Sequence, residues 1–172
     1  MKKILNIVEF NVSETKGLMI MMKIIVISSC AVIKEGILSA ISKNENVLVG
    51  FTGETIKEAI LMIRSKIADV MLLEIHEGNE FELEVINDIR TLGSPIKLIL
   101  IDSRGSYKLF VKALKCGVQG YVLRTSNEED LMYAIKQVYE GKKYYDPYYI
   151  YNIIVILHFI PLHYCLIFYT NE

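Results

Sequence analysis

The chain has 172 residues, with 19 Lys and Arg against 20 Asp and Glu, for a formal net charge of -1. That balance gives no global pull toward nucleic acid or an anionic membrane, and 52% apolar with 23% charged residues describes a globular domain carrying some extra apolar sequence. The three cysteines, Cys30, Cys116 and Cys165, are widely spaced, which argues against a disulfide framework or a zinc site and suits a reducing cytosol.

Residues 1–21 show no clear hydrophobic period. Lys2 and Lys3 are followed by Glu9, Asn11, Ser13 and Glu14, which break up any signal-peptide core. This stretch is expected to be an extension, or the product of a start codon set too early, with Met19, Met21 or Met22 as the start. The bland alternative is a short disordered arm. From Met22 onward, strand and helix patterns alternate. Ile24-Ile25-Val26-Ile27 is a first strand, ending in Ser28-Ser29. Val32, Ile33, Ile37, Leu38 and Ile41 form a helical stripe. Val47 to Phe51 is a second strand, and Thr55 to Lys66 a second helix with Thr55 and Glu58 at capping-box spacing.

The stretch Asp69 to Ile75 comes next, and the chain is organised around it. It is a continuous apolar run ending in a carboxylate, Glu74, and it reads as a strand buried on both faces, as in parallel sheets. Parallel sheets place their chemistry at the carboxyl ends of their strands, so Glu74 marks the candidate site. Phe81 to Leu92 is a helix stopped by Gly93 and Pro95. Lys97 to Asp102 is a fourth strand, Tyr107 to Cys116 a helix, and Gly120 to Arg124 a fifth strand. Ser126 is expected to cap a last helix that runs to about Glu140. The pattern predicts a doubly wound α/β domain, with five parallel strands near residues 23–28, 47–51, 69–75, 97–102 and 119–123.

Three stretches carry a family resemblance: Ile33 to Ile37, Ala113 to Arg124, and Glu128 to Leu131 through Ala134-Ile135 to Lys142. On these, residues 22–147 resemble the receiver domain of response regulators of the NarL/FixJ group, which precedes a LuxR-type helix-turn-helix. The resemblance implies the flavodoxin-like (CheY-like) strand order 2-1-3-4-5. It also implies a phosphoryl-accepting pocket: an acidic pair holding magnesium after the first strand, an aspartate nucleophile ending the third, a Thr or Ser ending the fourth, and a lysine ending the fifth. This sequence departs at every one of these positions. Ser28 and Ser29 replace the acidic pair, Glu74 the nucleophile, Asp102 the hydroxyl residue and Arg124 the lysine. Gly78 replaces the usual proline of the loop, while Tyr121 keeps the place of the aromatic switch residue.

The physical consequences point one way. Without the acidic pair, magnesium lacks its oxygen ligands, and phosphoryl transfer depends on metal charge and positioning. Glu74 has an extra methylene that moves its oxygens out of line. Asp102 would repel an incoming phosphate. Glu74 is therefore not expected to be phosphorylated, and no metal, cofactor or enzymatic activity is expected. A Glu74–Arg124 bridge could imitate the activated state; otherwise the residues have drifted and merely satisfy one another. Glu74, His76 and Glu77 form a weak metal motif, because adjacent residues on a strand end point different ways. Cys30 beside the pocket reads as a small packed residue rather than a reactive thiol.

Residues 148–172 stand where a DNA-binding domain would follow. They contain no Lys or Arg, so direct DNA binding is not expected. Tyr148 to Tyr169 is uncharged and long enough to span a bilayer, but Asn152, Pro161, His158 and His163 weaken that reading. The expected protein is a cytoplasmic, atypical receiver that acts in signal transduction and transcription regulation through protein partners, whether a second copy, a sensor kinase or another regulator. The alternative is a non-functional remnant of a truncated or frame-shifted LuxR-type regulator. On either reading the tail is expected to be dispensable for folding.

Overall fold

The computed structural model describes residues 21–64, 68–75, 86, 89 and 93–151. The expected helix over 81–92 lies mostly outside them; its two described positions, Ile86 and Ile89, are helical and buried. His76, Glu77, Gly78, most of the N-terminal extension and residues 152–172 also lie outside.

Six strands form one parallel sheet: β1 (Met22–Ile27), β2 (Val47–Gly53), β3 (Val70–Ile75), β4 (Lys97–Asp102), β5 (Gly120–Leu123) and the short β6 (Tyr144–Tyr145). Their order is β2-β1-β3-β4-β5-β6, so the expected order 2-1-3-4-5 holds and β6 extends it beyond β5. The described helices are α1 (Ala31–Ser42), α2 (Ile56–Arg64), α3 (Tyr107–Lys115) and α4 (Glu128–Tyr139). β3 is buried along its whole length, as a central strand covered on both faces must be.

Strand alternation divides the core in two. Ile25, Ile27, Met71, Leu73, Leu98, Leu100 and Tyr121 face α2 and α3. Ile24, Val26, Val70, Leu72, Ile99, Ile101 and Val122 face α1 and α4. Gly120 lets α4 approach: a Cβ there would sit 2.7 Å from Ile99 Cγ1 and 3.1 Å from Val138 Cγ2. At the β2 edge, Ile24 pairs with Val49 and Ile25 with Phe51, so Gly50 is skipped as a bulge.

Two caps differ from expectation. The N-cap of α4 is Asn127, whose side chain accepts the Asp130 N–H at 2.8 Å. Ser126 instead donates its hydroxyl to Asp146 Oδ2 at 2.7 Å, which draws it away from the helix. At α2, Glu58 reaches back as the spacing predicted, but it takes the Glu54 N–H at 3.2 Å and the Thr55 hydroxyl at 3.0 Å.

Residues 147–151 are helical. Asp146 caps this turn, its Oδ1 accepting the Tyr148 N–H at 2.9 Å, and Pro147 occupies the first helical position, where no N–H is needed. Tyr149 is completely buried and belongs to the core on the α3 side. The tail is expected from the sequence to be dispensable for folding; at Tyr149 it packs on Phe110, the rings stacked with centroids 4.6 Å apart.

Candidate functional site

The carboxyl ends of β1, β3, β4 and β5 bring Ser28, Glu74, Asp102 and Arg124 to one end of the sheet, but on two sides of it. Ser28 and Glu74 continue the alternation that faces α1 and α4. Asp102 continues the one that faces α3, together with Tyr121.

Ser28 and Glu74 stand side by side, because β1 and β3 pair through Ile27 and Leu73 one residue earlier. Both are buried, and Ser28 Oγ donates to Glu74 Oε2 at 2.5 Å. Ser28 Oγ in turn accepts the Cys30 N–H at 3.2 Å, which fixes the start of the β1–α1 connection. Ser29, the other acidic-pair position, is exposed. Cys30 is half-buried and precedes α1 without a side-chain cap bond.

Asp102 is 1% exposed and engages four donors. Its Oδ1 accepts the Arg104 N–H at 2.9 Å. Its Oδ2 accepts the Ser106 N–H at 2.9 Å, the Tyr121 hydroxyl at 2.9 Å and the Tyr149 hydroxyl at 2.7 Å. Each carboxylate oxygen offers about two lone-pair positions, so Oδ2, with three donors, is full, and Oδ1 holds the Arg104 N–H. Burial and the Asp102 charge push both tyrosine hydroxyls far above the ordinary phenol range, which keeps them protonated as donors. Asp102 thus does not jut toward an incoming anion; it is turned into the protein and held there.

The Glu74–Arg124 bridge is not formed. Arg124 is exposed, and no ion pair among the described residues involves it. The reason is lateral distance: β4 lies between β3 and β5, so the two residues start about 10 Å apart, whereas Ser28 is on the adjacent strand. Arg124 opens instead on a groove of about 530 Å³ between α1 and α4, floored by Ile33, Ile37 and Leu131. The expected picture of two carboxylates facing one arginine gives way to two separate clusters.

This donor set does not fit a magnesium ion. The acidic-pair positions carry hydroxyls, Glu74 is the one carboxylate among the described strand-end residues on its side, and both oxygens of Asp102 are occupied. Among the described residues no group of three His, Cys, Asp or Glu is placed to hold a metal.

No family model matches the chain. Among characterised proteins it is 32% identical over 95 residues to the transcriptional regulatory protein DesR of Bacillus subtilis, covering 55% of this chain and 47% of DesR. It is 26% identical over 125 residues to the response regulator protein VraR of Staphylococcus epidermidis, covering 73% of this chain and 60% of VraR. Among solved structures, the signal receiver domain of a NarL response regulator from Mycobacterium tuberculosis superposes with a TM-score of 0.65 at 21% identity, over 71% of this chain and 98% of that one. A LuxR-family response regulator from Aurantimonas sp. SI85-9A1 gives 0.71 at 19% identity, over 78% and 96%. The fold is that of a response-regulator receiver domain. The resemblance seen in the sequence therefore holds at the level of the fold: the chain is similar to a response regulator protein and a transcriptional regulatory protein, and its structural neighbours include a NarL receiver domain and a LuxR-family response regulator. The chain spans about half to three-fifths of the length of the characterised relatives it matches. Among the described residues, no helix is long and apolar enough to cross a membrane.

The positions singled out in the sequence lie at or just past the carboxyl ends of their strands, Ser28 and Ser29 after β1, Glu74 in β3, Asp102 ending β4 and Arg124 after β5, with Tyr121 inside β5. Sequence reasoning missed Tyr149 as a partner of Asp102. The signal for it was the Asp146-Pro147 pair, an N-cap followed by a proline suited to a first helical turn, which announces ordered structure past residue 147.

Proposed function

We propose that this receiver works in two-component signalling or transcription regulation without phosphorylation at Glu74, through contact with other proteins. The observation that carries this reading is Asp102: the position that would bind phosphoryl oxygens is a buried carboxylate held by four donors. Two further features support it. Glu74 is engaged by Ser28, and Tyr121 is held by Asp102, so the switch position is already fixed in one arrangement. A domain whose pocket is internally satisfied presents one stable surface, and binding partners then select among proteins rather than among phosphorylation states.

The test is intact-mass spectrometry of the chain after incubation with acetyl phosphate or a phospho-histidine kinase, with magnesium present. No phosphoryl adduct is expected. An adduct on the native chain that disappears in Glu74→Gln would overturn the reading.

A further inference from the structure

The Asp102 cluster joins two parts of the chain that the pocket itself does not require to meet. Arg104 and Ser106 lie in the loop between β4 and α3; Tyr149 lies 47 residues downstream, in the helical turn that begins at Pro147. All three bond to one carboxylate, and Ser106 and Tyr149 share a single oxygen, Oδ2. The Tyr149 ring sits between Phe110, stacked at 4.6 Å, and Tyr121, edge-on at 4.9 Å. A second tie runs through Asp146, which accepts the Ser126 hydroxyl and caps the same turn.

We propose that Asp102 fastens residues 146–151 to the pocket end of the sheet, with Tyr149 as the clasp, so that the loop between β4 and α3 governs whether this C-terminal segment is docked. The pocket position that would read phosphate is wired to the chain's own exit. Whatever changes the loop at Arg104 to Ser106 changes the hold on Tyr149. This does not depend on whether the pocket takes a phosphoryl group. Coupling of this kind is reciprocal: if the loop controls the segment, the segment must control the loop by the same factor.

Residue-resolved amide hydrogen exchange on the full chain tests this. The reporters are the amides of Tyr148 and Tyr149 for the segment, those of Arg104 and Ser106 for the loop, and those of Ile37 and Ile41 in α1 as a remote reference. Tyr149→Phe removes one oxygen and keeps the ring. It is expected to speed segment and loop exchange together, by about tenfold or more, because hydrogen bonds to a charged group are the stronger kind. Asp102→Asn should act on the same two sets. Ser126→Ala removes only the hydroxyl bond to Asp146 and should loosen the segment with a smaller effect on the loop. If the α1 amides accelerate equally in Asp102→Asn, that variant has lost its fold and Tyr149→Phe decides. The proposal is overturned if Tyr149→Phe leaves Ser106 and Arg104 unchanged, since the segment is then held by ring packing alone. It is also overturned if Asp102→Asn frees the loop but not Tyr148 and Tyr149.

Discussion

Ser28 and Arg124 differ in what their removal should cost. Ser28→Ala deletes the hydroxyl that satisfies buried Glu74, and leaving such a group without its partner costs about 1–3 kcal/mol. Arg124→Met removes an exposed side chain with no described ion pair and should change stability by less than about 0.5 kcal/mol. Urea melts of the two variants check this; equal losses would restore the bridge across the pocket. Tyr149 supplies a test in alkali. Its phenol, like that of Tyr121, is raised in the folded state above its ordinary value of 10.0 by burial and the Asp102 charge. Above pH 10 the unfolded chain loses these protons while the folded chain keeps them, so stability falls as pH rises. Each such tyrosine contributes a slope of about 1.4 kcal/mol per pH unit. Tyr149→Phe should therefore be less stable near neutrality but lose stability less steeply between about pH 10 and 11, read by denaturant midpoints across that range.

At the scale of elements, period-two alternation was legible and would have carried further than the family pattern did. Counting back from Asp102 through Leu100 and Leu98 places it with Tyr121 on the α3 side, while Glu74 and Arg124 fall on the other. Residue types at pocket positions say which groups arrive at one end of the sheet; parity says which of them share a face, and strand order which of those can touch. The Ser126 cap was misread because a hydroxyl's partner is decided by what lies across space, here Asp146, twenty residues on. The short β6 was invisible for a related reason: two residues give no period, and Tyr144-Tyr145 becomes a strand only because β5 offers its edge. Packing between elements also sets the tightest constraint found here. Gly120→Ala drives a methyl into Ile99 and Val138, so it should cost about 1–3 kcal/mol by overpacking, seen as a lower thermal midpoint. A neutral result would mean that α4 can ride outward freely.

For the whole molecule, the fold and its strand order could be read from alternation and loop length, but the end of the folded unit could not. A limit at Pro147 follows from where the receiver pattern stops, yet burial of Tyr149 carries the core past it. Two truncations measure the difference. A chain ending at Tyr151 should melt close to the full chain, whereas one ending at Pro147 loses a buried aromatic ring and its bond to Asp102, and should be destabilised by about 3–5 kcal/mol. Equal stability of the two would return Tyr149 to the tail.

The bulge at Gly50 has a consequence for how such a sheet behaves in a crowded cell. β2 ends the strand order opposite β6, so one row of its backbone groups has no strand beside it among the described residues. A flat row of that kind is a template on which a second chain can grow a strand. The extra residue breaks the regular spacing of β2 in mid-strand and increases its local twist, so an incoming strand could match it for only three or so residues on either side. A glycine that contributes no side chain thereby guards the domain against assembling edge to edge.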